Sequence, residues 1–355
     1  MTIWEWIQDF EHLAELRGDR ERIYLARIHS EAYQHRQEDP DRMLARLTEG
    51  RSLALRLEEP WWVAFFDHWI VETYIYYKDD YRDIIDQAVR LTLETRKPMY
   101  DGYPLRFAIW CNLVAAYLCV DPVGYQEQVR EAIAYLGAQV PPEGSDRYLY
   151  QARRHWFAYE TGRFDEAHQL ALEELTMAQT DPDRYTGRHH EVDTYKALCW
   201  IAYRRGDWEC LEECATVGEE RARAIQYRYE LALFLLWRAA CARRTHREEE
   251  SRGWFRQGVA QMARLGQLPS ESYFDAVAEY HTLGENLQAA WKTRERELEV
   301  IRDRGQLAYE CQVRVKRVLL LRQMGQPTAD EERAAHEAAS RLRAPEFYLR
   351  RLREA

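Results

Sequence analysis

The sequence has few of the residues that interrupt helices, and it has no long apolar run. Among 355 residues there are 16 glycines and 11 prolines, most of them in short polar breaks. The longest apolar stretch, LALFLLW at 231–237, is far shorter than the ~20 residues of a membrane-spanning helix. The N-terminus lacks a basic segment and a small-residue cleavage site, which a signal peptide would need. We therefore predict a cytoplasmic protein without membrane association.

The motifs of enzymes and metal centres are also missing. The chain has no HExxH, no GxSxG and no glycine-rich phosphate loop. The segment RHHEVD at 188–193 groups two histidines with two acids, but a catalytic metal needs about three convergent ligands. The net charge of −10 argues against a nucleic-acid partner, which requires a concentrated basic face. We predict a non-enzymatic protein with no catalytic residue, no metal and no cofactor.

Seven cysteines make an odd count and form no CxxC motif. They lie among leucine, alanine and aromatic residues, as small buried side chains do. Cys210 and Cys214 share a helix face at i, i+4, and a metal site there would need further ligands that the sequence does not show. Two interpretations remain, a metal pair and reduced buried thiols, and the apolar surroundings favour the thiols.

Apolar residues recur with the helical period in segments of about 14 to 20 residues between the breaks. No stretch alternates apolar and polar residues between hairpin turns, as a strand would. The breaks themselves recur, with first residues near 38, 79, 120, 162, 206, 246, 284 and 325. A near-constant interval of about 41 residues indicates stacked helix pairs.

In each helix that precedes a turn, residues at fixed offsets lie on one face, which we call the packing stripe. Their pattern resembles the tetratricopeptide repeat (TPR). Trp69 precedes Tyr76 by seven residues, Trp110 precedes Tyr117 by seven, and GRFDEA at 162–167 resembles the family's turn. The interval exceeds the ~34 residues of a standard repeat, which indicates a divergent member. The resemblance implies an all-α fold, a right-handed superhelix of about eight hairpins. We assign 1–20 to an N-terminal capping helix, 21–343 to the repeats and 344–355 to a basic C-terminal cap.

The face beside the packing stripe is the candidate binding surface. Trp69 and Tyr76 share the packing face, whereas Tyr74 and Tyr77 lie on the neighbouring face at ~100° per residue. The resemblance implies that this neighbouring face lines a concave groove. The alternatives are packing against the next repeat and, for the arginines, a solvated helix face. The candidate residues are Tyr33, Arg36, Ile70, Tyr74, Tyr77, Arg153, Phe157, Glu160, Arg204, Trp237 and Arg244.

Rings interleaved with arginines suit a peptide or an acidic, partly apolar ligand. We therefore expect a scaffold or adaptor that holds a protein or peptide partner. The alternative is a regulatory protein that senses a small molecule or signalling peptide and acts on a partner regulator, because the pattern is similar to the helical sensor regions of large bacterial transcription activators. Residues 290–355 carry 15 basic and 11 acidic residues against an acidic remainder, so homo-oligomers could form through the end caps.

Overall fold

A computed structural model describes residues 2–34, 39–141, 144–265, 269–302 and 304–354 of the chain. Eighteen α-helices and one 3-10 turn make up the regular structure of these ranges, and no β-strand occurs in them. The all-α prediction is confirmed. The predicted turn near residue 38 lies at the edge of 35–38, outside the described residues.

The helices divide into two compact units, Met1–Val120 with Glu127–Pro142 and Asp121–Gln126 with Glu143–Ala355. In both units, most helices pack against the helix that follows them in the chain. The first unit contains α1 (Ile3–Arg17), α2 (Arg20–Gln34), α3 (Pro40–Arg56), α4 (Pro60–Tyr76), α5 (Ile84–Glu94), the 3-10 turn Pro98–Tyr100, α6 (Arg106–Val120) and α7 (Gln126–Gly137).

The second unit contains the remaining helices and has the charged interior described below. Its helices are α8 (Asp146–Glu160), α9 (Phe164–Thr180), α10 (Arg184–Arg205), α11 (Trp208–Ala224), α12 (Arg228–Arg244), α13 (Glu248–Leu265), α14 (Glu271–Leu283), α15 (Leu287–Ile301), α16 (Leu307–Gln323), α17 (Ala329–Ser340) and α18 (Pro345–Glu354).

Local sequence explains where these helices begin and end. Asp207 accepts a hydrogen bond from the Cys210 backbone N–H at the start of α11, and Asn286 caps α15 in the same way. Gly206, at the end of α10, has a φ of 70°, a left-handed conformation that favours glycine. The helix breaks at 161–163, 206–207, 245–247 and 284–286 coincide with the polar turns of the repeated pattern.

A buried carboxylate adds to the apolar packing that holds the C-terminal helix within the second unit. Asp121 accepts hydrogen bonds from the Arg343 backbone N–H at 2.7 Å and from the Tyr348 hydroxyl at 2.9 Å. The same side chain also caps the Gly124 N–H at 2.9 Å. These contacts fix the start of α18, which carries a basic residue of the candidate site.

Glycines let an aromatic ring of the next helix approach the backbone closely. A Cβ at Gly50 in α3 would lie 2.3 Å from Phe66 Cζ in α4. A Cβ at Gly218 in α11 would lie 2.4 Å from Phe234 Cε1 in α12. Both phenylalanines are buried and follow their glycine by 16 residues. The same close contact therefore recurs in the two units.

We expect Gly218→Ala to destabilise the chain by about 1–3 kcal/mol, because the added methyl group would overlap the Phe234 ring. The matched control is Gly253→Ala in α13, where a Cβ meets nothing within 4 Å and should stabilise by up to ~1 kcal/mol. Urea denaturation followed by circular dichroism measures both changes. Equal stabilisation of the two variants would contradict the packing assignment.

Candidate ligand-binding site

The structure places the candidate residues of the first unit in different environments. Ile70, Tyr74 and Tyr77 are half-buried on α4 and at its end. Tyr76, assigned to the packing stripe from sequence, is 40% exposed, so that assignment is wrong. Arg36 and the side chain of Tyr33 lie outside the described residues.

Ile70 lines a half-open pocket of about 810 Å³ in the first unit, bordered by α3, α4, α5 and the 3-10 turn. The volume lies within the usual range for small-molecule sites. Apolar side chains such as Val63, Leu91 and Met99 form much of its lining. The lining also carries charges, among them the ion pair of Arg51 Nε with Asp67 Oδ1 at 2.5 Å.

Three candidate residues of the second unit are buried side chains. Trp237 is 1% exposed and packs in the core between α10, α12 and α14. Phe157 is 5% exposed, and the Arg163 guanidinium carbon lies 4.7 Å from its ring centroid. Arg153 is also 5% exposed and lies against Trp156. Their assignment to an accessible groove is therefore corrected, since residues of this face pack against the next helix.

Glu160 and Arg204 are the candidate residues that the structure brings together, and each influences the charge of the other. They belong to a group of charged and phenolic side chains from five helices, which we call the inner polar cluster. Arg244 is exposed and stacks on Trp208, and it reaches this group through the effect of its charge on Glu279. The cluster consists of Glu160, Tyr203, Arg204, Glu271, Asp275, Glu279, Arg294, Glu297, Tyr309 and Lys316.

Asp275 is the centre of the ion pairs in the cluster. Lys316 Nζ lies 2.8 Å from Asp275 Oδ1 and 3.0 Å from Glu271 Oε1. Arg294 Nη1 lies 2.8 Å from the same Asp275 oxygen and 2.7 Å from Glu297 Oε2. These contacts join α14, α15 and α16 through charged groups that, apart from the partly exposed Glu271, are almost fully removed from water.

Neighbouring charges and burial shift the pKa values of these carboxylates in opposite directions. Burial opposes ionisation of Asp275, but Lys316 and Arg294 hold its pKa well below the usual range. Burial and the nearby Glu271 raise the pKa of Glu160 to about 7, although Trp156 donates a hydrogen bond to it. Burial also raises the pKa of Glu279, against a hydrogen bond from Tyr203. The interior thus holds one firmly ionised carboxylate, Asp275, and one that takes up a proton near neutral pH, Glu160.

Two arginines at this interior have no ion-pair partner among the described residues. Arg204 is half-buried at the end of α10, and its guanidinium carbon lies 5.8 Å from the Tyr159 ring centroid. Burial opposes its charge, but Tyr159, Glu271 and Asp275 raise its pKa. Arg351 of α18 is an exposed residue at the edge of this interior, where the surrounding protein and the charge of Arg204 lower its pKa. Two positively charged groups near each other favour binding of an anion between them.

The sequence analysis did not predict most residues of the inner polar cluster, although the spacing of residues before each turn could have identified two of them. Ile70 and Arg153 each lie nine residues before their turn, at 79 and 162. Asp275 and Lys316 occupy the same offset before 284 and 325. The repeat register therefore predicts that Asp275 and Lys316 belong to the same candidate face as Ile70 and Arg153. Arg294, Glu297 and Arg351 come from other helices, and only the packing reveals them.

Comparison with known proteins agrees with this architecture. No protein-family model matches the sequence, and no curated protein matches it. Among solved structures, the chain is similar to a signal transduction ATPase with numerous domains (STAND) protein with a tetratricopeptide repeat sensor from Pyrococcus horikoshii, at 14% identity and a TM-score of 0.54. The similarity covers 99% of this chain and 52% of that one, so this chain spans about half its length.

The fold is a TPR-like α-solenoid. The resemblance predicted from the repeats is confirmed at the level of fold, which is what similarity at this identity shows. In the described part of the solenoid, no group of three histidine, cysteine, aspartate or glutamate side chains is placed to hold a metal ion. None of its described helices has the length and apolar character needed to cross a bilayer.

Glu160 should make the stability of the solenoid depend on pH. Its folded pKa of about 7 lies above the ordinary value of 4.5, so the contribution is complete below 4.5 and is lost as the pH rises through 7. The groups that face Glu160 from other helices are Arg204, Glu271, Lys316 and Tyr348.

Glu160→Gln removes this titration, so we expect the variant to gain stability relative to the parent chain between pH 5 and pH 8. Thermal unfolding across this pH range measures the difference. The exposed Glu209→Gln on α11 is the matched control and should show no such trend. A difference between Glu160→Gln and parent that does not change with pH would contradict a carboxyl group titrating near 7.

Proposed function

We propose that the solenoid is a non-enzymatic interaction module that binds an acidic peptide segment of a protein partner in its second unit. The supporting observation is the pair Arg204 and Arg351, two nearby guanidinium groups without ion-pair partners beside a network in which Lys316 and Arg294 are paired. A carboxylate of the ligand would accept hydrogen bonds from both arginines. Arginine suits this role because its planar guanidinium can donate two parallel hydrogen bonds.

The surroundings of the two arginines favour a peptide over an inorganic anion. Tyr159 offers an aromatic face beside Arg204, which an apolar side chain could contact. Glu271 and Glu160 add hydrogen-bond acceptors to these surroundings. Their negative charge would repel a simple multivalent anion. A peptide carries carboxylates, backbone N–H donors and apolar side chains within one segment, so it complements all three features.

A second candidate function is sensing, in which ligand binding changes the affinity for a regulator. The observation that favours it is the similarity to a structure whose repeat region is described as a sensor. The half-open pocket of the first unit also has the size of a small-molecule site. Native mass spectrometry of the chain purified under gentle conditions distinguishes the two, since a retained small molecule supports sensing and a retained peptide supports interaction.

Replacing Arg204 tests the proposed site. We expect Arg204→Gln to weaken binding of acidic peptides by about tenfold or more, because a charged hydrogen bond is lost. Fluorescence polarisation with a library of labelled acidic peptides measures the affinity. The neighbouring Arg205→Gln is the matched control, since Arg205 pairs with Asp165 instead. Equal affinity of the two variants for every binding peptide would reject the site.

Binding of an acidic peptide should weaken as the pH rises through 7. Below that value Glu160 is protonated and neutral, whereas above it the Glu160 carboxylate repels the ligand. We expect peptide affinity to be higher at pH 6 than at pH 8, and Glu160→Gln to flatten this dependence. Affinity that rises with pH in the parent chain would contradict an anionic ligand beside Glu160.

A further inference from the structure

A pair of thiols in the second unit has a geometry that the proposed binding function does not use. Cys210 and Cys214 lie one turn apart on α11, and their sulfur atoms are 3.8 Å apart. Both residues are half-buried, unlike Cys199, Cys241 and Cys311, which are buried. Among the cysteines of the second unit, Cys210 and Cys214 are therefore the two that small reagents in solution can approach.

The position of Cys210 favours its thiolate. It is the third residue of α11, where the helix N-terminus stabilises negative charge. Hydrogen bonds from the Cys214 thiol and, more weakly, from His168 of α9 lower the pKa of Cys210 to about 6, against the effect of burial. The bond to Cys210 and burial raise the pKa of Cys214. One sulfur is thus prepared as nucleophile and the other keeps its proton.

An intact helix does not allow the two sulfurs to join. Residues four apart on a helix have Cβ atoms ~5–6 Å apart, whereas a disulfide requires about 3.5–4.5 Å. A bond between Cys210 and Cys214 therefore requires the first turn of α11 to open. That turn is fastened by the Asp207 cap, whose Oδ1 accepts the Cys210 N–H at 3.1 Å. Opening a terminal turn disturbs fewer hydrogen bonds than opening the middle of a helix.

We propose that Cys210 and Cys214 form a hydroperoxide-reactive thiol pair whose oxidation unwinds the first turn of α11. The Cys210 thiolate attacks one peroxide oxygen, so that an S–O bond forms and the O–O bond breaks. The departing alkoxide takes up a proton and leaves as an alcohol, or as water when the oxidant is hydrogen peroxide. Cys210 is now a sulfenic acid.

The second step consumes the Cys214 thiol. Its sulfur attacks Cys210 Sγ, an S–S bond forms, the S–OH bond breaks, and the hydroxide leaves as water with the Cys214 proton. The two sulfurs together lose two electrons, and the peroxide gains them. Loss of the Asp207–Cys210 hydrogen bond then exposes backbone groups of residues 208–214.

Peptide mass spectrometry tests the pair directly, because trypsin releases both cysteines in one peptide, 206–221. After treatment of the full chain with hydrogen peroxide, we expect this peptide to lose two hydrogen atoms before any buried cysteine reacts. In Cys214→Ser the sulfenic acid should persist on Cys210 and be captured by dimedone. Cys311→Ser is the matched control, a buried position in the same unit, and should leave oxidation of 206–221 unchanged.

Hydrogen–deuterium exchange measures the structural consequence. We expect faster exchange in residues 208–214 of the oxidised chain, and no such change in oxidised Cys210→Ser. If peptide 206–221 stays unoxidised while buried cysteines react, the reactive pair is rejected. A disulfide that forms without faster exchange in 208–214 overturns the unwinding.

Discussion

The second unit depends on a buried carboxylate, Asp275, that two cations from other helices neutralise. Lys316 of α16 and Arg294 of α15 both contact its Oδ1 at 2.8 Å, and α14 carries the acid itself. Removing one partner of such a buried pair leaves an uncompensated charge, which is strongly destabilising. The pairing therefore constrains how α14, α15 and α16 stack. It also satisfies the cations closest to Asp275 and leaves Arg204 outside the network.

The sequence predicted the architecture because each helix pair repeats one pattern. Glycine-containing turns such as Gly206 and caps such as Asp207 act within a few residues, so their effect is visible locally. The packing stripe predicted the burial of individual aromatic rings less reliably. Trp110 and Tyr117 are buried as expected, yet Tyr76 is exposed at the same offset. Its exposure is set by the helices packed around it, which helical periodicity does not describe.

Glu160 and Arg204, which the repeat register assigned to the candidate face, lie together at the polar interior, and their role in ligand binding stays a prediction. Trp237 and Phe157 share that register but are buried, because large apolar rings at these positions pack against the next helix. Glu160 and Arg204 keep contact with a polar interior since burying them without partners would cost more than burying a ring. Arg351 comes from α18, some 147 residues after Arg204 (351 − 204). Its proximity results from the Asp121 contacts to the 343–348 segment, which no repeat pattern contains.

The same position of the repeat thus holds side chains of different polarity in different repeats. The offset nine residues before the turn holds Ile70 in the first unit, where it lines the half-open pocket. The same offset holds Asp275 and Lys316 in the second unit, where they form the centre of a charged network. The glycine–phenylalanine contacts at Gly50 and Gly218 keep the helix spacing similar in both units. Since the glycine–phenylalanine contacts are alike, the side chain at this offset is what differs between the units, and the acidic peptide that we propose as ligand is matched to the charges of the second unit.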